Sequence, residues 1–121
     1  MRIIVCGGRD YSNKAKVFSV LTALDAMCDI KHLAAGCAAG ADSFALAWAR
    51  FNDVAYRRWD ADWDTHGREA GPIRNNEMLC GTNPDLVVAF PGGKGTKNMV
   101  RQAYRNGVSV LLVAAPESAW P

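Results

Sequence analysis

The stretch Asp85-Leu86-Val87-Val88-Ala89-Phe90-Pro91-Gly92-Gly93-Lys94-Gly95-Thr96 decides the fold. Its first half is an apolar, β-branched run that reads as a buried strand. Its second half places glycine at 92, 93 and 95, and a helix is expected to follow. Glycines strip the Cβ atoms from a sharp turn, so backbone N–H groups can come close to a ligand. A helix starting there adds unpaired N–H donors and the positive end of its dipole. Strand, glycine turn and helix together form an anion site, most often for phosphate.

The same arrangement occurs twice upstream. Arg2-Ile3-Ile4-Val5-Cys6 reads as a buried strand stopped by Gly7-Gly8-Arg9-Asp10. A helix capped by Ser12 is expected to about residue 28, because Val17, Val20, Leu21, Leu24 and Cys28 recur at spacings of three and four. His32-Leu33-Ala34-Ala35 is a weaker strand, followed by the turn Gly36-Cys37-Ala38-Ala39-Gly40-Ala41-Asp42. A second helix is expected over 41–52 and a third strand over 54–59, at a sheet edge. Residues 60–71 are polar and take no assignment. Pro72 is expected to open a helix reaching about residue 79. The fourth strand covers 86–90, a helix 96–106 stopped by Gly107, and the fifth strand 108–113. The tail 115–121 reads as irregular, and no repeat, linker or low-complexity segment interrupts the chain.

Strands alternating with helices imply a parallel sheet covered on both faces. Right-handed crossovers leave few topologies. The expected fold is α/β: a single Rossmann-like three-layer domain over residues 1–121, with about five parallel strands in the order 3-2-1-4-5. In that order the crevice opens between strands 1 and 4, where the winding reverses. The two richest glycine turns, Gly7-Gly8-Arg9 and Pro91 to Thr96, would then converge where such sheets bind ligands.

Bulk properties narrow the function. A chain of 121 residues has room for one domain and a real core. The net charge of +2 is too small to imply a nucleic-acid or membrane partner by itself. No apolar run approaches the length of a membrane span. The first strand begins at once, without a signal-peptide pattern, so a cytoplasmic location is expected. Cys6, Cys28, Cys37 and Cys80 are scattered, with no C-x-x-C pair, which argues against zinc and for reduced, buried packing residues.

Each candidate constellation has an ordinary structural alternative. Arg9 could fork onto a phosphate beside Gly7 and Gly8, or simply pair with Asp10. The spacing Gly36 to Gly40-Ala41-Asp42 matches neither the dinucleotide fingerprint nor the Walker pattern, yet its small residues allow close backbone approach. Asp42 could cap the next helix or accept from a ribose hydroxyl. The alternating carboxylates Asp60, Asp62 and Asp64 fail the EF-hand pattern at Thr65 and Gly71 and read as a solvated loop, with His66 as a loop hydrogen bonder. Arg74 and Asn75 would lie in the first turn of the helix opened by Pro72, with Met78 on the same face as Arg74. A cation is disfavoured at that end of a helix, so Arg74 calls for an anionic partner from the protein or a ligand. Lys94, Lys97, Arg101 and Arg105 form a basic stripe, the wet face of an amphipathic helix or a nucleic-acid contact.

These residues carry a resemblance over nearly the whole chain. Val5-Cys6-Gly7-Gly8-Arg9-Asp10, Gly40-Ala41-Asp42, Ala61-Asp62-Trp63 with His66-Gly67, Ala70-Gly71-Pro72-Ile73-Arg74-Asn75 with Met78, and Phe90-Pro91-Gly92-Gly93-Lys94-Gly95-Thr96 resemble the small YspA-like family of the SLOG superfamily, found in bacteria and phages. That superfamily is Rossmann-like and is thought to bind nucleotides or nucleotide-derived molecules; its members include LOG phosphoribohydrolases and DprA. In LOG enzymes the turn reads P-G-G-x-G-T-x-x-E, and its glutamate acts at the ribose with an arginine from a preceding helix. Arg74 matches that arginine and is the catalytic candidate. The glutamate position is Met99, so LOG-type hydrolysis lacks its carboxylate.

The expectation is therefore a nucleotide-derived ligand held by Gly7, Gly8, Arg9, Gly36, Gly40, Ala41, Asp42, Arg74, Asn75, Pro91, Gly92, Gly93, Gly95 and Thr96. The protein would sense or sequester that ligand. A nucleotide hydrolase and a nucleic-acid binder are the alternatives. No resident cofactor or metal is expected, with magnesium accompanying a bound nucleotide as the open case. LOG relatives dimerise through helices, which makes a homo-oligomer an expectation of the resemblance; no membrane partner is expected.

Overall fold

A computed structural model describes residues 1–113. Five strands, β1 (Arg2–Cys6), β2 (His32–Ala35), β3 (Ala55–Arg58), β4 (Leu86–Ala89) and β5 (Ser109–Leu112), alternate with helices. All pair in parallel, in the order β3-β2-β1-β4-β5. The expected α/β fold and strand order are both present. β3 is an edge strand, as its mixed polar sequence implied.

The side-chain alternation of β1 divides the core in two. Ile3 and Val5 pack under α1 (Lys14–Cys28) and α2 (Ala41–Phe51), with Val17, Leu21, Ala45 and Trp48. Ile4 and Cys6 face the other way, onto α4 (Ala70–Thr82) and α5 (Lys94–Arg105), with Met78, Val87, Met99 and Val100. The central strands are therefore apolar on both faces, as a doubly covered parallel sheet requires. Trp48 is fully buried, and its indole N–H donates to Thr22 Oγ1 at 3.1 Å.

Five local readings are corrected. The cap of α1 is Asn13, not Ser12: the Asn13 side chain accepts from Lys16 N at 3.0 Å. Residues 60–71 are not a loop throughout. Asp62 caps a four-residue helix, α3 (Trp63–His66), and a 3-10 turn (Gly67–Glu69) runs directly into α4. Pro72 is consequently the third residue of α4 rather than its opener, still within the first turn whose N–H groups have no intrahelical acceptor. Arg74 falls in the second turn. α5 starts at Lys94, two residues before the expected Thr96, because Gly93 takes the cap position. Of the four free cysteines only Cys6 is buried; Cys28, Cys37 and Cys80 are exposed. The expected irregular tail, 115–121, lies outside the described residues.

Candidate functional site

The three glycine turns meet at the carboxyl ends of β1, β2 and β4, and they interlock. Gly8 N–H donates to Pro91 O at 2.9 Å, tying the first turn to the third. Ala41 N–H donates to Gly8 O at 3.4 Å, tying the second turn to the first. Gly40 has φ +77°, and a Cβ there would strike Gly8 O and approach Arg9 O at 2.6 Å. A Cβ on Gly92 would collide with Thr96 Oγ1 and lie 2.6 Å from Gly8 N. Gly7 leaves only 2.5 Å for a Cβ beside Ala41 Cβ. Gly7, Gly8, Gly40 and Gly92 are thus glycine because the turns pack on one another.

Gly93 and Gly95 differ. A Cβ on either would meet nothing within 4 Å, and both line a cavity of about 560 Å³. Neither has a positive φ. No side chain caps α5 at Gly93, and its first turn has no acid. The start of α5 therefore presents unpaired backbone donors to an open, glycine-lined space. Thr96, buried at 5% exposure, stands in the first turn beside them.

Opposite this turn are a cation and a buried acid. Arg74 reaches across from α4: Nη1 donates to Trp59 O at 3.0 Å and contacts Cys37 Sγ at 3.9 Å, and Nε donates to Asn75 Oδ1 at 3.1 Å. Among the described residues nothing accepts from Nη2. Asp42 is 5% exposed and lines the same cavity from the start of α2. Its Oδ2 accepts from Ala38 N–H at 3.3 Å, and no described donor reaches Oδ1. Burial pushes the Asp42 carboxyl up to about 6, against the Arg74 guanidinium and the Ala38 N–H, which pull it down. Cys6 lies at the floor. Burial, followed by the Asp42 charge, raises its thiol far above the ordinary range, with Arg74 opposing, so it stays a neutral packing group.

The cavity is lined by Gly7, Arg9, Gly36, Asp42, Arg74, Asn75, Gly93, Gly95 and Thr96 of the expected set. Gly8, Gly40, Ala41, Pro91 and Gly92 stand behind this wall and shape it. Arg9 is exposed and, among the described residues, pairs with no carboxylate. Asn75 is buried with its amide engaged: it donates to Gly95 O at 3.2 Å and Asn98 Oδ1 at 3.1 Å, so it holds the third turn in place. Met99 is fully buried in the core below α5. Asp60 pairs with Arg58 at 2.9 Å, while Asp62 caps α3 through Thr65 N. No three His, Cys, Asp or Glu side chains stand together as metal ligands among the described residues. No described helix is long and apolar enough to cross a membrane.

Trp63 and Gly71, which carried the resemblance but were not in the expected ligand set, also line the cavity. The Asp62-to-Thr65 capping spacing was a usable signal for α3, but nothing local in the chain turns Trp63 toward the cavity.

The architecture and its converging turns define a Rossmann-like domain of the SLOG type. The chain belongs to the YAcAr family, the YspA, cpYpsA-related SLOG family, whose model matches residues 1–66. It is 33% identical over 125 residues to the Gene 61 protein of Mycobacterium phage D29, covering 91% of this chain and 94% of that protein. In structure it is similar to DNA processing protein A (DprA) of Streptococcus pneumoniae, with a TM-score of 0.78 at 16% identity, over 96% of this chain and 51% of DprA. It is also similar to saccharopine dehydrogenase (L-Glu forming) of Saccharomyces cerevisiae, with a TM-score of 0.58 at 18% identity, over 98% of this chain and 23% of that enzyme. The chain spans about half of DprA and about a quarter of the dehydrogenase, and at these identities the likeness is one of fold alone.

Proposed function

We propose that this protein binds a nucleotide or nucleotide-derived small molecule and acts as a sensing or sequestering module. One observation carries the reading. Gly93 and Gly95, which neither packing nor backbone conformation requires to be glycine, open the uncapped start of α5 onto a cavity that also holds the Arg74 guanidinium. Backbone N–H groups and a cation converging on one space are the chemistry of phosphate recognition. Arg74 keeps Nη2 for a ligand, and Arg9 stands at the rim. Asp42 Oδ1 is placed to accept from a sugar hydroxyl. Calorimetric titration with a panel of nucleoside mono-, di- and triphosphates tests the reading; uniform absence of heat and of competition would refute it.

A second reading rests on Asp42. Met99 offers no carboxylate to the cavity, but Asp42 brings one from α2 and sets it beside Arg74. The pocket could then hydrolyse a bond in the nucleotide rather than only hold it. Chromatography after prolonged incubation separates the two readings: free base, sugar phosphate or phosphate would mark turnover. An Arg74→Ala variant turning over as fast as wild type would place the chemistry elsewhere.

A further inference from the structure

Helix α3 is unusual in having no buried side chain. A four-residue helix with no fully buried side chain gains little from packing, and isolated turns of this length are not stable on their own. It is nevertheless fixed at both ends. Asp62 accepts from Thr65 N at 3.2 Å, His66 N donates to Asp62 O at 3.0 Å, and Gly67, at φ +57°, donates its N–H to Trp63 O. What these bonds hold in place is Trp63. The indole is 51% exposed, although burial of so large an apolar ring is normally favourable, and it lines the same cavity as Gly93, Gly95 and Thr96. It rests against the first turn of α4 at Gly71, where a Cβ would lie 3.4 Å from Trp63 Cη2.

The cavity lining therefore combines two different chemistries. Cationic and backbone N–H donors stand at the start of α5 and at Arg74, and a flat aromatic surface stands at α3. We propose that Trp63 is a stacking platform for a flat aromatic ring, so that the ligand class is a phosphate-bearing compound with a nucleobase, such as a nucleoside monophosphate, rather than a sugar phosphate. This rests on the phosphate-site reading above. Stacking of a base on an aromatic side chain is tolerant of which base it is, so Trp63 selects for a ring and not for one base.

The test compares AMP, ribose 5-phosphate and inorganic phosphate by calorimetry on the wild-type chain and on Trp63→Ala and Trp63→Phe. The wild type should bind AMP more tightly than ribose 5-phosphate by roughly 5- to 150-fold, the range that stacking supplies. Trp63→Ala should bring AMP down to the level of ribose 5-phosphate and leave ribose 5-phosphate itself unmoved. Trp63→Phe should keep most of the advantage. Equal binding of AMP and ribose 5-phosphate by the wild type, or a Trp63→Ala variant that loses both alike or neither, would overturn the platform while leaving the phosphate site standing. Failure of all three compounds to bind would overturn both readings together.

Discussion

The Asp42 carboxylate and the Arg74 guanidinium converge on the side-chain position that Gly36 leaves empty: a Cβ there would lie 2.9 Å from Asp42 Oδ2 and 2.6 Å from Arg74 Nη1. Gly36 is the gap through which an acid from α2 and a cation from α4 come to one cavity. They form no direct ion pair, since the described salt bridges are Lys31–Asp29 and Arg58–Asp60 at the surface. Each keeps hydrogen-bonding capacity for a third party. A buried acid and a half-buried cation left incompletely paired are expensive for the fold.

The Asp42 carboxyl makes this cost measurable. An acid raised in the folded state holds its proton more tightly there than in the unfolded chain. Between the ordinary 3.8 and about 6, the unfolded chain is ionised at this position and the folded one is not. Stability therefore falls as pH rises through that window and stays lower above it. The neighbouring groups are Arg74 from α4, Cys6 from β1, and Arg9 and Asp10 from the first turn. Asp42→Asn keeps an acceptor for the Ala38 N–H and removes the titration. At pH 7.5 it should be more stable than wild type by up to roughly 3 kcal/mol, at 1.36 kcal/mol per pH unit, with the difference shrinking toward pH 4. Urea denaturation at the two pH values checks this; a variant less stable than wild type at pH 7.5 would refute it.

The glycines separate into two kinds that mutation should distinguish. Gly95→Ala adds a methyl group where nothing lies within 4 Å and places a better helix former in α5. Its melting temperature should match or exceed wild type, while nucleotide affinity falls by about 10- to 100-fold because the methyl group holds the phosphate away from the backbone N–H donors. Gly92→Ala should instead destabilise the fold by about 1–3 kcal/mol, because its methyl group runs into Thr96 and Gly8. Thermal melts and titrations on both proteins give the comparison. A Gly95→Ala variant with undiminished affinity would move the phosphate away from α5.

Much of this was legible in the chain, and the misses have physical causes. The central strands announced themselves because β1 and β4 are apolar on both faces, which leaves runs such as Ile3-Ile4-Val5 and Val87-Val88-Ala89. Strand order followed from connection rules. The glycine turns marked the cavity, but their spacing could not separate Gly92, which packing requires, from Gly95, which it does not; that depends on neighbours distant in sequence. Helix α3 escaped because it buries nothing and so imprints no periodicity. The start of α4 was misplaced because Pro72 is compatible with any position in a first turn. The juxtaposition of Asp42 with Arg74 needs three turns to close on one another, and no local signal encodes it.

Arg74 should not be replaceable by lysine. Its guanidinium holds Trp59 O and Asn75 Oδ1 while leaving Nη2 free, a division of donors that one ammonium cannot reproduce. Arg74→Lys should stay folded by circular dichroism and lose about 10-fold or more in nucleotide affinity. Retention of wild-type affinity would remove Arg74 from the site.

The exposed basic residues of α5 should matter little to the cavity. Arg101 and Arg105 lie on its solvent face, where salt screens them from the ligand. Replacing both by Gln should leave nucleotide affinity within about 2-fold at 0.15 M salt. A larger loss would mean that the ligand extends along α5, which would favour a nucleic-acid partner.

The central claim is that the start of α5, with Arg74 opposite, is a phosphate site, and the most direct measurement is a paired calorimetric titration of the wild-type protein with AMP and with adenosine. AMP should bind at least about 10-fold more tightly than adenosine, the increment expected from charge-assisted hydrogen bonds to a phosphate. Adenosine binding as tightly as AMP, or neither binding at all, would contradict the account.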